Sequence, residues 1–170
     1  MASRRVKGFL MNLCFVLTGI IILAGDQASK YLISRNLPLN ESIEVLPNFF
    51  YITHIINTGA AFGLFQDTAK SLAIVSVVAI ILIIILRVML PLNFVFYNIS
   101  LGFILGGALG NLVDRYFVGE VIDFINFVFF PVFNVADSFI VIGFCLIIIL
   151  ILREYIKKDK TQEKGVEQKG

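Results

Sequence analysis

The sequence predicts an all-α membrane protein: four transmembrane helices with a small β-rich extracytoplasmic segment at the membrane interface. Three observations predict it. Hydrophobic residues make up 58% of the 170 and charged residues only 15%, with mean hydropathy +0.91, where soluble chains carry roughly 25% charged residues. Three charged residues lie at 4–7 and ten at 153–170, which leaves thirteen for the 145 residues between; a soluble domain could not cover its surface with so few. Finally, four stretches approach the ~20 apolar residues that a spanning helix needs.

The first stretch runs uncharged from Gly8 to Gly25. Arg4, Arg5 and Lys7 before it also fit a secretory signal peptide, but Ile22-Leu23-Ala24 is not small at both cleavage positions, and Met11 and Leu13 do not suit a lipobox around Cys14. An uncleaved span is expected. The second stretch is Ser71–Leu86, the third lies between Arg87 and Asp114, and the fourth runs from Ser138 to Leu152. With their flanks the spans are placed at about 9–27, 69–87, 93–114 and 136–154, in a single domain over 1–157. The polar tail 158–170 reads as disordered. Between the first two spans, Pro38, Pro47 and the β-branched and aromatic run IEVLPNFFYITHI predict short strands over about 40–66. The aromatic residues of 116–136 give that segment an interfacial composition.

Composition also excludes functions. A net charge of +2 and the lack of a basic stripe interleaved with aromatics argue against nucleic acid. Cys14 and Cys145 sit in apolar runs and form no disulfide framework. His54 is the single histidine, which argues against a histidine-based zinc site or a Ser-His-Asp triad. No metal or cofactor is expected.

Both ends of the chain are basic, and four spans put them on one side, so the termini are predicted cytoplasmic. Asp26, Lys30, Asp114, Arg115, Glu120, Asp123 and Asp137 then collect at the outer face. Ionisable groups at membrane depth are costly and usually functional.

Each cluster also has a plainer reading. Asp26 and Lys30 are four apart, which on spacing alone describes an ordinary exposed helix pair. Gly102, Gly106 and Gly110 stand at four-residue spacing and suit close helix packing. Asn111, Asp114 and Arg115 could merely finish a span. Asn134 and Asp137 match an N-cap followed by an acid in the first turn. That explains Asp137 but not Asp123, an acid flanked by apolar residues. Two carboxylates held together in a low-dielectric site cannot both ionise easily, so the pair shares a proton. One member can take a proton from water while the other donates to a carbonyl. Spacing alone does not bring Asp123 and Asp137 together, but the 13 residues between them are enough to fold back.

Five motifs together resemble one family, the lipoprotein signal peptidases (signal peptidase II): Asp26-Gln-Ala-Ser-Lys30, Asn57-Thr-Gly-Ala-Ala-Phe-Gly63, Gly106-Gly-Ala-Leu-Gly-Asn-Leu-Val-Asp-Arg115, Gly119-Glu-Val-Ile-Asp-Phe124 and Phe133-Asn-Val-Ala-Asp137. They occur in the family's order across about residues 10–152. The resemblance implies an intramembrane aspartic endopeptidase of the bacterial cytoplasmic membrane. It removes the signal peptide from diacylglyceryl-modified prolipoproteins by cutting just before the lipidated cysteine. By the same resemblance the catalytic pair is Asp123 and Asp137. Asp26, Lys30, Asn57, Gly59, Asn111, Asp114, Arg115, Asn134 and Ala136 are supporting or substrate-positioning residues. It further implies prolipoproteins and membrane lipids as partners, inhibition by cyclic peptides of the globomycin type, and a monomer. Asp114, also an outer-face acid, is the alternative member of the pair. The segment Phe124–Phe133 is short for the family, which points to a trimmed pocket rim.

Other classes fit less well. An ion-coupled transporter wants acids at mid-span, whereas these sit at span ends. A Ser-Lys peptidase would use Ser29 with Lys30 or Lys70 with Ser71, but neighbours on a helix point about 100° apart. A packing scaffold leaves Asp123 and Asp137 unexplained.

Overall fold

A computed structural model describes residues 2–57, 69–89 and 94–167. Four helices, α1 (Ala2–Asn36), α2 (Ala69–Met89), α3 (Val95–Phe117) and α4 (Val135–Glu167), are joined by strands β1 (Ser42–Leu46), β2 (Phe50–Asn57) and β3 (Val121–Phe127). All four helices contain an apolar stretch long enough to cross a membrane. In α3 61% of that stretch is buried inside the protein, against 11% or less in the others. α3 is therefore the central helix, with α1, α2 and α4 packed on it, and the outer helices turn Phe9, Ile21, Ile74, Val75 and Val141 outward as a lipid-facing surface requires.

The glycines explain how α3 can be surrounded. A Cβ on Gly106 would stand 2.5 Å from the carbonyl oxygen of Gly19 and 2.8 Å from Ile22 Cβ, and one on Gly102 would stand 2.8 Å from the Phe15 oxygen. Gly107 faces the Ala136 carbonyl on α4 just as closely. The four-residue spacing thus serves α1, and the neighbouring glycine serves α4. Small residues let backbones approach where lipid supplies no hydrophobic drive between helices.

The helices run longer than the expected spans. α1 continues ten residues past Asp26, because Asp26 and Lys30 are paired inside the protein and the helix has no need to stop at the first charge. α4 continues to Glu167, so most of the tail expected to be disordered is helical; its Lys, Glu and Gln are favourable helix formers.

β1, β2 and β3 form an antiparallel sheet in that order. The first two strands lie where the sequence predicts strands. The third lies in the segment read only as interfacial, and its Ile122, Ile125 and Phe127 pair with Ile56, Ile52 and Phe50. α3 hands over to β3 at Gly119, whose φ of +86° suits glycine, while its N–H and that of Val118 close on the Asp114 carbonyl at 3.0 and 2.8 Å. Beyond β3 the chain folds back: Ile125 N–H donates to the Phe133 oxygen at 2.7 Å and Phe133 N–H returns the bond at 3.1 Å. The sheet therefore lies at the end of the bundle where α1 and α3 finish and α4 begins.

Gly106→Val is expected to push α1 off α3 and lower stability by about 1–3 kcal/mol. Gly8→Val, where nothing lies within 4 Å of the added Cβ, should leave the thermal transition in detergent nearly unmoved; equal shifts would remove the packing argument.

Candidate active site

Among the described residues, ten buried polar or charged ones include Asp26, Lys30, Asn111, Asp114, Asp123 and Asn134, and these six form one connected system. Such groups are tolerated away from water only when their hydrogen bonds are made.

The charged base of the system is Lys30. Its ammonium lies 2.7 Å from Asp26 Oδ2 and 2.6 Å from Asp114 Oδ2, and donates to Asn111 Oδ1 at 3.0 Å. The Asp26–Lys30 pair is thus not an exposed helix pair, since its members are 0% and 3% exposed. Two carboxylates share one cation, and neutral donors supply the remainder. Ala136 N–H, in the first turn of α4, donates to Asp26 Oδ1 at 2.9 Å, and Gln27 donates to Asp114 Oδ1 at 2.8 Å and to the Gly110 carbonyl at 3.1 Å. Sequence reasoning misses Gln27, which lies between the one acid and the lysine of the first motif; its position one residue after Asp26 is the only sequence signal for it.

From Lys30 the bonds run upward through two asparagines. Asn111 Nδ2 donates to Asp137 Oδ1 at 2.7 Å. Asn134 Nδ2 donates to Asp123 Oδ1 at 2.6 Å and to Asn111 Oδ1 at 3.1 Å. Asn134 also caps α4: its Oδ1 accepts from Asp137 N–H at 2.9 Å, and its own N–H faces Asp137 Oδ2 at 3.4 Å. That reciprocal arrangement is a capping box. The capping reading is therefore right and incomplete, because the amide that closes the helix also reaches the second acid. Asn57, at the end of β2, donates to Asp123 Oδ2 at 2.8 Å.

Asp123 and Asp137 thus come together, each bonded to Asn134. The fold-back of Phe133 onto Ile125 brings the two ends of the intervening loop to one place. Burial pushes the Asp123 carboxyl from 3.8 up to about 6, and the negative charge of Asp137 acts the same way, against hydrogen bonds from Asn57 and Asn134 and the charge of Lys30. Arg115 stands beside this pair. It donates to Ser76 Oγ on α2 at 3.3 Å, and its charge acts on Asp137, Asp123 and Asp114. The Asp114 carboxylate faces Lys30 at 2.6 Å and accepts from Gln27 at 2.8 Å. Gly59 lies outside the described residues, as does the rest of its motif beyond Asn57. Ala136 is wholly buried and serves through its backbone.

Asp137 also borders a cavity of about 550 Å³, lined otherwise by Phe127, Phe129, Phe130, Phe133, Ser138, Val141 and Ile142. The rings on its rim are packed together, with Phe127 stacked on Phe50 at 5.0 Å and Phe130 edge-on to Phe133 at 5.6 Å. Phe129 and Val141 are exposed, so the cavity opens sideways from the bundle.

The arrangement is a pair of acids, Asp123 buried and Asp137 half-buried, at the end of a helical bundle beside an apolar chamber. A model of the family described as signal peptidase (SPase) II matches residues 18–153. A lipoprotein signal peptidase of Caldanaerobacter subterraneus subsp. tengcongensis is 49% identical over 119 residues, 69% of this chain and 81% of that protein. One from Desulfitobacterium hafniense is 41% identical over 143 residues, covering 84% and 95%. A solved structure described as a bacterial membrane enzyme superposes with a TM-score of 0.78 at 33% identity, over 85% of this chain and 90% of that one; a second gives 0.74 at 34% identity, over 81% and 92%. With matches over most of its length in both sequence and structure, the chain belongs to the signal peptidase II family and is a membrane-embedded protease of lipoprotein processing.

Proposed function

We propose that the chain removes signal peptides from diacylglyceryl-modified prolipoproteins, cutting just before the lipidated cysteine, with Asp123 and Asp137 as an aspartic dyad. The observation that carries this reading is the single asparagine, Asn134, hydrogen-bonded to both acids. Asp123 holds the proton, in keeping with its raised pKa, and Asp137 acts as the base. Water attacks the scissile carbonyl carbon and loses a proton to Asp137, while Asp123 protonates the carbonyl oxygen. The resulting diol collapses as the carbon–nitrogen bond breaks. The amine leaves with the proton from Asp137, and Asp123 regains its own from the diol. The products are a signal peptide with a new carboxyl terminus and a lipoprotein with a free amino-terminal cysteine.

The remaining residues support this dyad. Asn57, Asn111 and Asn134 hold the carboxylates, Asp26, Lys30 and Asp114 brace the helix ends beneath them, and Arg115 and Gly59 position substrate. One domain over 1–157 does this work. We place the sheet and the dyad on the extracytoplasmic side of the bacterial cytoplasmic membrane, with both termini inside, as the basic ends require. A signal peptide is a membrane helix, so it reaches the dyad laterally. The sideways opening of the aromatic chamber suits acyl chains, and the strand segment 43–56 can clamp extended peptide by main-chain pairing. By family resemblance the chain acts as a monomer and is inhibited by cyclic peptides of the globomycin type.

Purified protein is expected to cleave a diacylated prolipoprotein in detergent with chelator present. Asp123→Asn and Asp137→Asn should each lose about 10²–10⁴-fold in rate while still folding, as seen in a single cooperative thermal transition. Normal cleavage by Asp123→Asn together with an inactive Asp114→Asn would move the dyad to Asp114.

The raised Asp123 carboxyl also sets a pH dependence. kcat/KM should decline as pH rises past about 6, where the proton it donates is lost. In the same way, between pH 3.8 and about 6 the unfolded chain releases this proton while the native protein keeps it. Stability therefore falls as pH rises through that window, by at most about 3 kcal/mol. Asp123→Asn should flatten that slope in melts taken from pH 4 to 6; an unchanged slope would count against a raised Asp123.

A further inference from the structure

We propose that Lys30 is a positioning residue for the reaction, acting through Asn111: by occupying the amide oxygen it fixes the amide nitrogen as a donor to Asp137. The inference rests on the aspartic-dyad reading and concerns how that dyad is kept asymmetric. An ammonium has three donors and no acceptor. Two are used in hydrogen bonds, on Asp26 Oδ2 at 2.7 Å and Asn111 Oδ1 at 3.0 Å, and Asp114 Oδ2 stands in ion-pair contact at 2.6 Å. The Asn111 atom facing Lys30 must therefore be oxygen, and that oxygen also accepts from Asn134 Nδ2 at 3.1 Å. The nitrogen is left to point at Asp137 Oδ1, 2.7 Å away.

Turning this amide over would set its N–H₂ against two donors and its oxygen against a carboxylate. In a buried site each such mismatch leaves a polar group unsatisfied at the full cost of its desolvation, so the flip is closed. Asn134 is locked the same way, since its oxygen is taken by the Asp137 N–H at 2.9 Å and its nitrogen is left for Asp123. Among the described residues no hydrogen bond links Lys30 directly to either dyad acid. Its charge also acts through space on Asp123, but its hydrogen-bonded route to Asp137 passes through Asn111, a neutral side chain that does not titrate. The other charges that face Asp137 are Arg115 from α3 and Asp123 from β3, with Asp26 and Asp114 held at Lys30.

The test uses the full chain in detergent and a diacylated prolipoprotein peptide. Lys30→Met combined with Asp114→Asn keeps the net charge of the Asp26–Lys30–Asp114 cluster. It is expected to lower kcat at least tenfold with KM within twofold, and to move the acid limb of the kcat profile to higher pH. Asn111→Leu should do the same. In the Asn111→Leu background the Lys30 and Asp114 changes should shift the acid limb no further, because their route to Asp137 is already cut. An unmoved acid limb in the folded double variant, or an equal shift in both backgrounds, would overturn the proposal. If the double variant does not fold, Asn111→Leu decides alone: an acid limb at the wild-type position overturns it. Failure of the dyad reading is seen separately, as cleavage by Asp137→Asn at the wild-type rate.

Discussion

The ammonium of Lys30, shared between Asp26 and Asp114 with almost no access to water, is the constraint on which the site depends. Taking three charges out of water is expensive, and their attraction offsets the penalty only when every remaining donor and acceptor is matched. Here the matching groups come from different helices: Gln27 from α1, the Gly110 carbonyl and Asn111 from α3, and the Ala136 N–H from α4. The ends of three helices are thereby fixed against one another by groups that cannot relax without leaving a charge unpartnered. Gly110 belongs to the same arrangement, since a Cβ there would stand 2.5 Å from Asp26 Oδ2. The glycines of α3 thus serve close packing at one end and a buried carboxylate at the other.

Above this base, the two proposed dyad acids come from unlike elements. Asp137 is carried by the first turn of α4 and Asp123 by a strand that packs on the bundle only lightly. The asparagines reconcile them. Asn134 ends an element and starts a site at once, because one amide has an oxygen for the helix cap and a nitrogen for the strand. Apolar packing could set this distance only loosely; hydrogen bonds of 2.6–2.9 Å set it within a few tenths of an ångström.

Much of this was legible in the sequence. The four helices follow from composition, and β1 and β2 follow from their β-branched and aromatic run. β3 was missed because its Phe and Ile residues read equally well as a loop at a membrane interface, and its pairing partner lies some 70 residues away. The acids and amides of the site could be picked out, but their relations could not. Spacing made Asp26 and Lys30 an ordinary surface pair, since burial depends on α3 and α4 closing over them. Gln27 carried no charge to draw notice. Capping accounted for Asp137 and left Asp123 aside, and only three dimensions show that the capping amide of Asn134 also reaches Asp123.

The backbone pairing between Ile125 and Phe133 separates the chemistry from the rim. The residues between them form a loop clasped at its base, and both proposed dyad acids lie outside the clasp. Insertions or deletions within 128–132 would reshape the aromatic mouth of the chamber while leaving the carboxylates where they are. This segment is therefore a place where lineages can vary what is admitted without disturbing the acids, and selectivity and catalysis become separately evolvable traits.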